Sequence, residues 1–263
     1  GFSTHDLSFA YFENHSILLI AIIFMILGSF PFLVLAKTNI KNPFAAFKDH
    51  QVKIFLLLLF ISICLIYFFA QKYLIGSEIQ KIIIISFNTI SIISGTGFIS
   101  ENFEGWGNYA STLFLILMFI GGCAGSTTGG IKIFRFQILL KYIAIHLKKM
   151  LQPHAVIASH FNGRKIQDST YESVMIFFFI YILTFAFSAL LLSFSGLDFL
   201  TCFSAAASAI SNVGPGLGEI IGPKGNYGSL TSYTKIILIF TMFLGRLEML
   251  TILVLFLPSF WKN

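Results

Sequence analysis

Apolar runs separated by short polar breaks divide the chain into segments of three lengths. Residues 16–36, 52–70, 172–192 and 233–257 are each long enough, at about 1.5 Å per residue, to cross a hydrocarbon core of about 30 Å as one helix. Residues 79–93 and 198–211 are shorter. As a helix the first would be roughly 22 Å long, which enters a membrane without crossing it. Asp198 is placed to N-cap the second. Each short segment hands the chain to a glycine-bearing loop, 94–98 (Ser-Gly-Thr-Gly-Phe) or 212–216 (Asn-Val-Gly-Pro-Gly), and a longer apolar segment follows. The pattern predicts one re-entrant device used twice.

The third kind of segment is too long. A helix over residues 109–150 would reach roughly 63 Å, twice the membrane. Something must interrupt it, and 121–130 holds five glycines with Ser126, Thr127 and Thr128. Glycine and hydroxyl residues open helices at membrane depth where other groups re-satisfy the backbone. The expectation is a half-helix over 109–120, an intramembrane loop, and a basic half-helix from Ile131 onward. Gly125 and Gly130 have the spacing of a phosphate-binding loop, but Ile131 stands where its lysine belongs and no strand precedes it.

Non-helical backbone at membrane depth must line protein or a water-filled path. Rings of backbone carbonyl oxygens can then replace the hydration shell of a monovalent cation, and glycine lets carbonyls turn inward by allowing positive φ. The plainer reading, that the glycines ease turns or close packing, is weakened because the loop recurs in equivalent positions. A third trace of it opens the chain, where Gly1-Phe2 matches Gly97-Phe98.

Taken together, Ser91-x-x-Ser94-Gly95-Thr96-Gly97-Phe98, the run from Gly121 to Lys132, and Asn212-Val213-Gly214-Pro215-Gly216 resemble the membrane (translocation) subunit of bacterial Trk/Ktr-type potassium uptake transporters. The resemblance implies an all-α polytopic membrane protein of pseudo-repeated helix, re-entrant pore helix, filter loop and helix units, similar in plan to potassium channels. It divides the chain into a partial repeat at 1–37, a complete repeat with a broken second helix at 52–150 and a complete repeat at 172–257. Cytoplasmic linkers fall at 38–51 and 151–171. On this reading the chain starts inside the filter of the second of four repeats and looks like a fragment, a split gene product or a trimmed chain.

The resemblance also assigns roles. Filter residues are Gly1, Gly95, Thr96, Gly97, Asn212, Val213 and Gly214, holding K+ or Na+ through backbone carbonyls without a cofactor. The gate is Gly121, Gly122, Gly125, Ser126, Thr127, Thr128, Gly129 and Gly130, with Arg246 facing Thr127, Thr128 and their carbonyls. A homodimer in the bacterial inner membrane is implied, with a cytosolic nucleotide-binding regulatory subunit docked on the basic faces at 37–53 and 141–165. Two other readings remain open: a secondary transporter of another class that uses broken helices, and a non-functional fragment of a transporter gene.

Composition sharpens this picture. Hydrophobic residues are 56% of the chain and charged residues 11%, against about 25% charge in soluble domains. The net charge of +6 is spread between apolar runs and forms no patch for nucleic acid. If the two short segments do not cross, Lys37, Lys41, Lys48, Lys53, Lys132, Arg135, Lys141, Lys148, Lys149, Arg164, Lys165 and Lys262 share one side. Lys72, Lys81, Lys224 and Lys235 share the other, and the richer side is cytoplasmic. Arg246 stands within the last span, where a charge costs about 2.5–3.5 kcal/mol and must face an interior. Glu248 is about 200° round a helix from it, too far to pair directly; a structural ion pair with a neighbouring helix is the competing role for Arg246.

Glu101 and Glu104 suit the outer mouth of a cation path. Trp106, Tyr109, Tyr227 and Tyr233 fall where an interfacial belt is expected. Cys64, Cys123 and Cys202 have no metal-binding spacing and read as packing residues. The histidines form no metal pair and no serine sits in a GxSxG turn, so no enzyme is expected.

Overall fold

The computed structural model describes residues 3–12, 14–38, 45–152, 160–161 and 164–261. Gly1 and His154, and parts of both linkers, lie outside the described residues. Ten α-helices form there: α1 (His15–Gly28), α2 (Phe32–Ala36), α3 (His50–Ala70), α4 (Glu78–Ile93), α5 (Asn108–Met118), α6 (Ile133–Leu151), α7 (Asp168–Ser193), α8 (Phe199–Ser211), α9 (Ser232–Arg246) and α10 (Met249–Leu255). A small antiparallel hairpin, β1 (His160–Phe161) with β2 (Arg164–Lys165), precedes α7.

Helix starts follow local chemistry. Asn14 caps α1 and Asp49 caps α3, each accepting backbone N–H groups of the first turn. Ser77 and Gln80 form a reciprocal capping box on α4. The Asp198 carboxylate accepts from the Thr201 N–H at 3.1 Å and opens α8.

The short helices α4 and α8 sit inside, each between longer ones. The α4 helix packs against α1 and α3, and α8 against α7 and α9. The α8 stretch from Ser204 to Ser211 is buried throughout, built from serine and alanine around Ile210. Meanwhile Phe60, Phe68, Phe179, Ile182 and Phe240 of the outer helices are exposed. Small polar residues inside and large apolar ones outside are the reverse of a water-soluble helical bundle, and small residues let membrane helices approach closely. By length and composition, α3 and α7 can each cross a membrane uninterrupted.

The other long segments are all broken, where the sequence reading expected only one break. Residues 16–36 do not form a single span: α1 ends before Ser29 and α2 starts after Pro31. Proline lacks an N–H and its ring clashes with the preceding turn, so the helix cannot continue. The last span, read as continuous over 233–257, turns by 105° between α9 and α10. Glu248 takes φ +52° at that turn. The third break is the anticipated one, between α5 and α6.

Trp106 is not at an interface. It is 2% exposed, packed edge-on against Phe103 and close to Phe114. Tyr109 and Tyr233 are exposed, whereas the Tyr227 hydroxyl turns inward. Cys123 and Cys202 are buried as free thiols and Cys64 lies exposed on α3.

Candidate functional site: two loops and the breaks beneath them

Aligned on Ser91 and Ser208, the loops after α4 and α8 share one backbone. The Thr96 N–H donates to the Ser91 carbonyl at 3.0 Å, and the Val213 N–H donates to the Ser208 carbonyl at 3.0 Å. Gly95 and Asn212 both take left-handed angles, φ +65° and +54°, and Gly97 and Gly214 follow at +75° and +115°. Asparagine is one of the few residues that tolerates this region, and its Nδ2 donates to the Met242 carbonyl at 3.1 Å. Serine hydroxyls tie each loop to its helix. Ser91 Oγ donates to the Phe98 carbonyl at 2.7 Å, while Ser208 Oγ accepts from the Gly214 N–H at 3.0 Å.

The loop N–H groups are thus turned back onto the helix ends. Among the described residues, the carbonyls of Gly95, Gly97, Asn212 and Val213 accept no hydrogen bond. Thr96 Oγ1 pairs with Ser94 Oγ at 2.8 Å, and Tyr227 donates to the Gly214 carbonyl at 2.8 Å. The two loops touch, since a Cβ built on Gly97 would overlap the Val213 carbonyl oxygen. Only glycine fits there, for reasons of both space and φ.

The glycine-rich loop is closed at its base by backbone bonds: Gly121 N–H to the Ile131 carbonyl (3.0 Å), Ile131 N–H to Phe119 (2.9 Å) and Ile133 N–H to Gly122 (3.1 Å). Thr128 Oγ1 accepts from the Gly122 N–H at 2.9 Å. The break after α1 supplies further partners. Thr127 Oγ1 donates to the Gly28 carbonyl at 3.0 Å, Cys123 N–H to Ser29 at 3.1 Å, and Phe32 N–H to Gly125 at 3.0 Å. Gln51 accepts from the Ala124 N–H at 3.0 Å. The break after α9 contributes Arg246, whose Nη1 donates to the Thr127 carbonyl at 3.0 Å. The other two helix breaks therefore converge on this loop, which is itself the third.

Its far side presses on the root of the second loop, where a Cβ on Gly129 would overlap the Ser211 carbonyl oxygen. Gly95 of the first loop faces the Gly129 N–H. A cavity of about 340 Å³ lies against the glycine-rich loop, bordered by Lys132, Arg135, Phe177, Arg246 and Glu248. Lys132 Nζ folds back onto the Ser126 carbonyl (3.4 Å), Thr128 Oγ1 (3.1 Å) and the Thr128 carbonyl.

Sequence reasoning did not single out Lys132, Arg135 or Glu248 for this cavity. Arg246 and Glu248 face different partners, Thr127 and Arg135, and the Arg135–Glu248 distance is 2.9 Å. A two-residue spacing signals divergence; nothing in the sequence names the partner 113 positions away.

At the mouth, the Glu104 carboxylate accepts the Gly218 N–H, joining the loop after α4 to the loop after α8. Burial raises the Glu101 carboxyl above the ordinary glutamate range, partly opposed by Lys224. No group of three or more His, Cys, Asp or Glu side chains that could hold a metal ion occurs among the described residues.

Buried short helices that end in paired loops, enclosed by lipid-facing longer helices, define an all-helical membrane protein built of re-entrant repeats like those of potassium channels. The chain belongs to the TrkH family of cation transport proteins, whose family model matches residues 1–263. It is similar to the Trk system potassium uptake protein TrkI of Halomonas elongata, 39% identical over 266 residues, with all of this chain and 54% of that protein covered. It is similar to TrkH of Escherichia coli K12, 34% identical over 270 residues with the same two coverages, 100% and 54%. The crystal structure of the potassium transporter TrkH from Vibrio parahaemolyticus superposes with a TM-score of 0.90 at 33% identity, covering 99% of this chain and 56% of that one. The chain spans about half the length of the curated relatives it matches. Trk family proteins are ion transporters and not enzymes.

Proposed function

We propose that this chain forms part of a potassium uptake pathway in a bacterial inner membrane. The carbonyls of Gly95, Thr96, Gly97, Asn212, Val213 and Gly214, with that of Gly1, which matches Gly97 in sequence, serve as the ion-coordinating filter. The observation that carries this reading is the shared backbone of the two loops, with N–H groups turned to the helices and, among the described residues, the carbonyls of Gly95, Gly97, Asn212 and Val213 accepting no hydrogen bond. Oxygens so disposed can replace a monovalent ion's hydration shell. The glycine-rich loop over 121–130, pressed against the roots of both loops and held by Arg246, acts as the gate beneath them. Arg246 adds an electrostatic barrier to cations.

The potassium specificity rests on the names of the relatives. A homodimer and a cytosolic nucleotide-binding regulatory subunit, which the basic side of the chain would receive, belong to the same proposal. No cofactor is required for conduction through backbone oxygen.

The test is Gly97→Ser in the full-length protein, read by ion-replacement uptake. A side chain at Gly97 must displace the Val213 carbonyl. Discrimination between K+ and Na+ should fall by at least about tenfold, the equivalent of about 1.4 kcal/mol of altered coordination. Unaltered preference at normal expression would overturn the filter assignment.

A further inference from the structure

The bend between α9 and α10 contains no proline, yet Glu248 adopts φ +52° within it. A left-handed backbone at glutamate is uncommon and persists only where neighbouring groups impose it. The group that meets the Glu248 side chain is Arg135, two residues into α6, whose Nη2 lies 2.9 Å from Glu248 Oε2. Arg135 is itself 8% exposed, with its guanidinium 3.8 Å from the centre of the Phe177 ring. Of the two ion pairs between described residues, the other, Glu78 with Lys81, is local to α4. The pair of Arg135 with Glu248 is therefore the one that joins separate helices.

Its position matters because of what flanks it. Two residues before Glu248, Arg246 donates to the Thr127 carbonyl. Nine positions before Arg135, the same glycine-rich loop contributes Ser126 to the shared cavity. The α9–α10 bend thus holds the loop through Arg246 and the helix after the loop through Glu248. Arg246 and Glu248 do not bond to each other, so Glu248 bears on Arg246 through the backbone between them and through the charge that both present to the shared cavity.

We propose that Arg135 and Glu248 are positioning residues that hold Arg246 on the glycine-rich loop, so that breaking the pair releases the gate. The inference rests on the reading of that loop and Arg246 as the gate. It also gives α6 a lever: a displacement of its basic end, at Lys148 and Lys149, reaches Arg246 through Arg135.

The experiment is resting rubidium-tracer flux through the full-length transporter in liposomes, for Glu248→Gln, Arg135→Gln, Arg246→Ala and their combinations. Each single substitution is expected to raise resting flux by about 5- to 10-fold, the lower part of the range of ordinary coupling effects. Arg246→Ala combined with Glu248→Gln should leak no more than Arg246→Ala alone. The reversed pair, Arg135→Glu with Glu248→Arg, should return flux towards wild type, and the absence of additivity with Arg246→Ala is what a purely structural role would not produce.

Wild-type flux in Glu248→Gln and Arg135→Gln beside a leaking Arg246→Ala would overturn the positioning role and leave the gate standing. Additive leaks in the double variant would do the same. Normal resting flux in Arg246→Ala would remove the gate reading and this inference with it. If a single variant does not reach the membrane, the reversed pair decides: its failure to assemble or to restore closure also overturns the proposal.

Discussion

Gly129→Ala asks whether the glycine-rich loop must rest against the filter to close the path. The added methyl would overlap the Ser211 carbonyl oxygen. That oxygen cannot yield easily: Ser211 ends a buried helix, and its hydroxyl is bonded to Tyr181 at 2.7 Å. Gly129 is not among the glycines with positive φ, so alanine brings no backbone penalty and the cost is steric. Forcing one methylene-sized group into a packed site costs about 1–3 kcal/mol. If that cost falls only on the arrangement with the loop in contact, the balance shifts towards a withdrawn loop by about 5- to 150-fold. The assay is rubidium-tracer flux in liposomes carrying the full-length protein, normalised to protein in the membrane. Gly125→Ala is the comparison, because space around Gly125 is open and the substitution brings backbone strain alone. Resting flux that is unchanged or lowered in Gly129→Ala, at equal membrane levels, would refute the reasoning.

Two further outcomes follow from the same geometry. Ser208→Ala leaves the Gly214 N–H without its acceptor in a part-buried site, at a cost of about 1–3 kcal/mol; thermal unfolding in detergent should show a lower Tm together with weaker K+ over Na+ selectivity, and no change in either would count against the serine tether. Glu101, whose carboxyl burial raises, should take up its proton at a higher pH than a free glutamate as the outside is acidified. The cost of burying its charge is full above the folded-state value, falls as pH drops from there to the ordinary glutamate value and is absent below that, so acid stabilises this loop while removing negative charge from the mouth. Inward flux at low external K+ should therefore drop on mild acidification, and Glu101→Gln should flatten that part of the pH profile. A wild-type profile in the variant would exclude Glu101 as its source.

Much of the architecture is legible in local patterns because local chemistry determines it. The lengths of α4 and α8 follow from where apolar residues stop and glycine or asparagine begins, and Asp198 is a cap by residue type and place. The glycine density of 121–130 announces a break. Pro31 announced one too, and reading 16–36 as a single span overlooked that a proline mid-helix kinks or breaks it. The bend at Glu248 is different. No proline marks it and Gly245, in the last turn of α9, is a weak signal by itself; the groups packed there, Arg135 against Glu248 and the Ile210 carbonyl against Gly245, come from elements remote in sequence. Trp106 was misplaced for a related reason: an aromatic residue near a span end looks interfacial until the packing of Phe103 and Phe114 around it is known. Convergence of two breaks on a loop that is itself the third is a property of tertiary structure, and spacing along a single chain does not encode it.

The central claim is that a dehydrated potassium ion is held by backbone oxygens of the loops after α4 and α8. Crystals of the full-length protein grown with rubidium or thallium in place of potassium test it directly through anomalous scattering. The account predicts anomalous density between the carbonyls of Gly97 and Val213 and their neighbours, lost in Gly97→Ser. Density confined to other parts of the molecule, with those carbonyls turned away from it, would contradict the account.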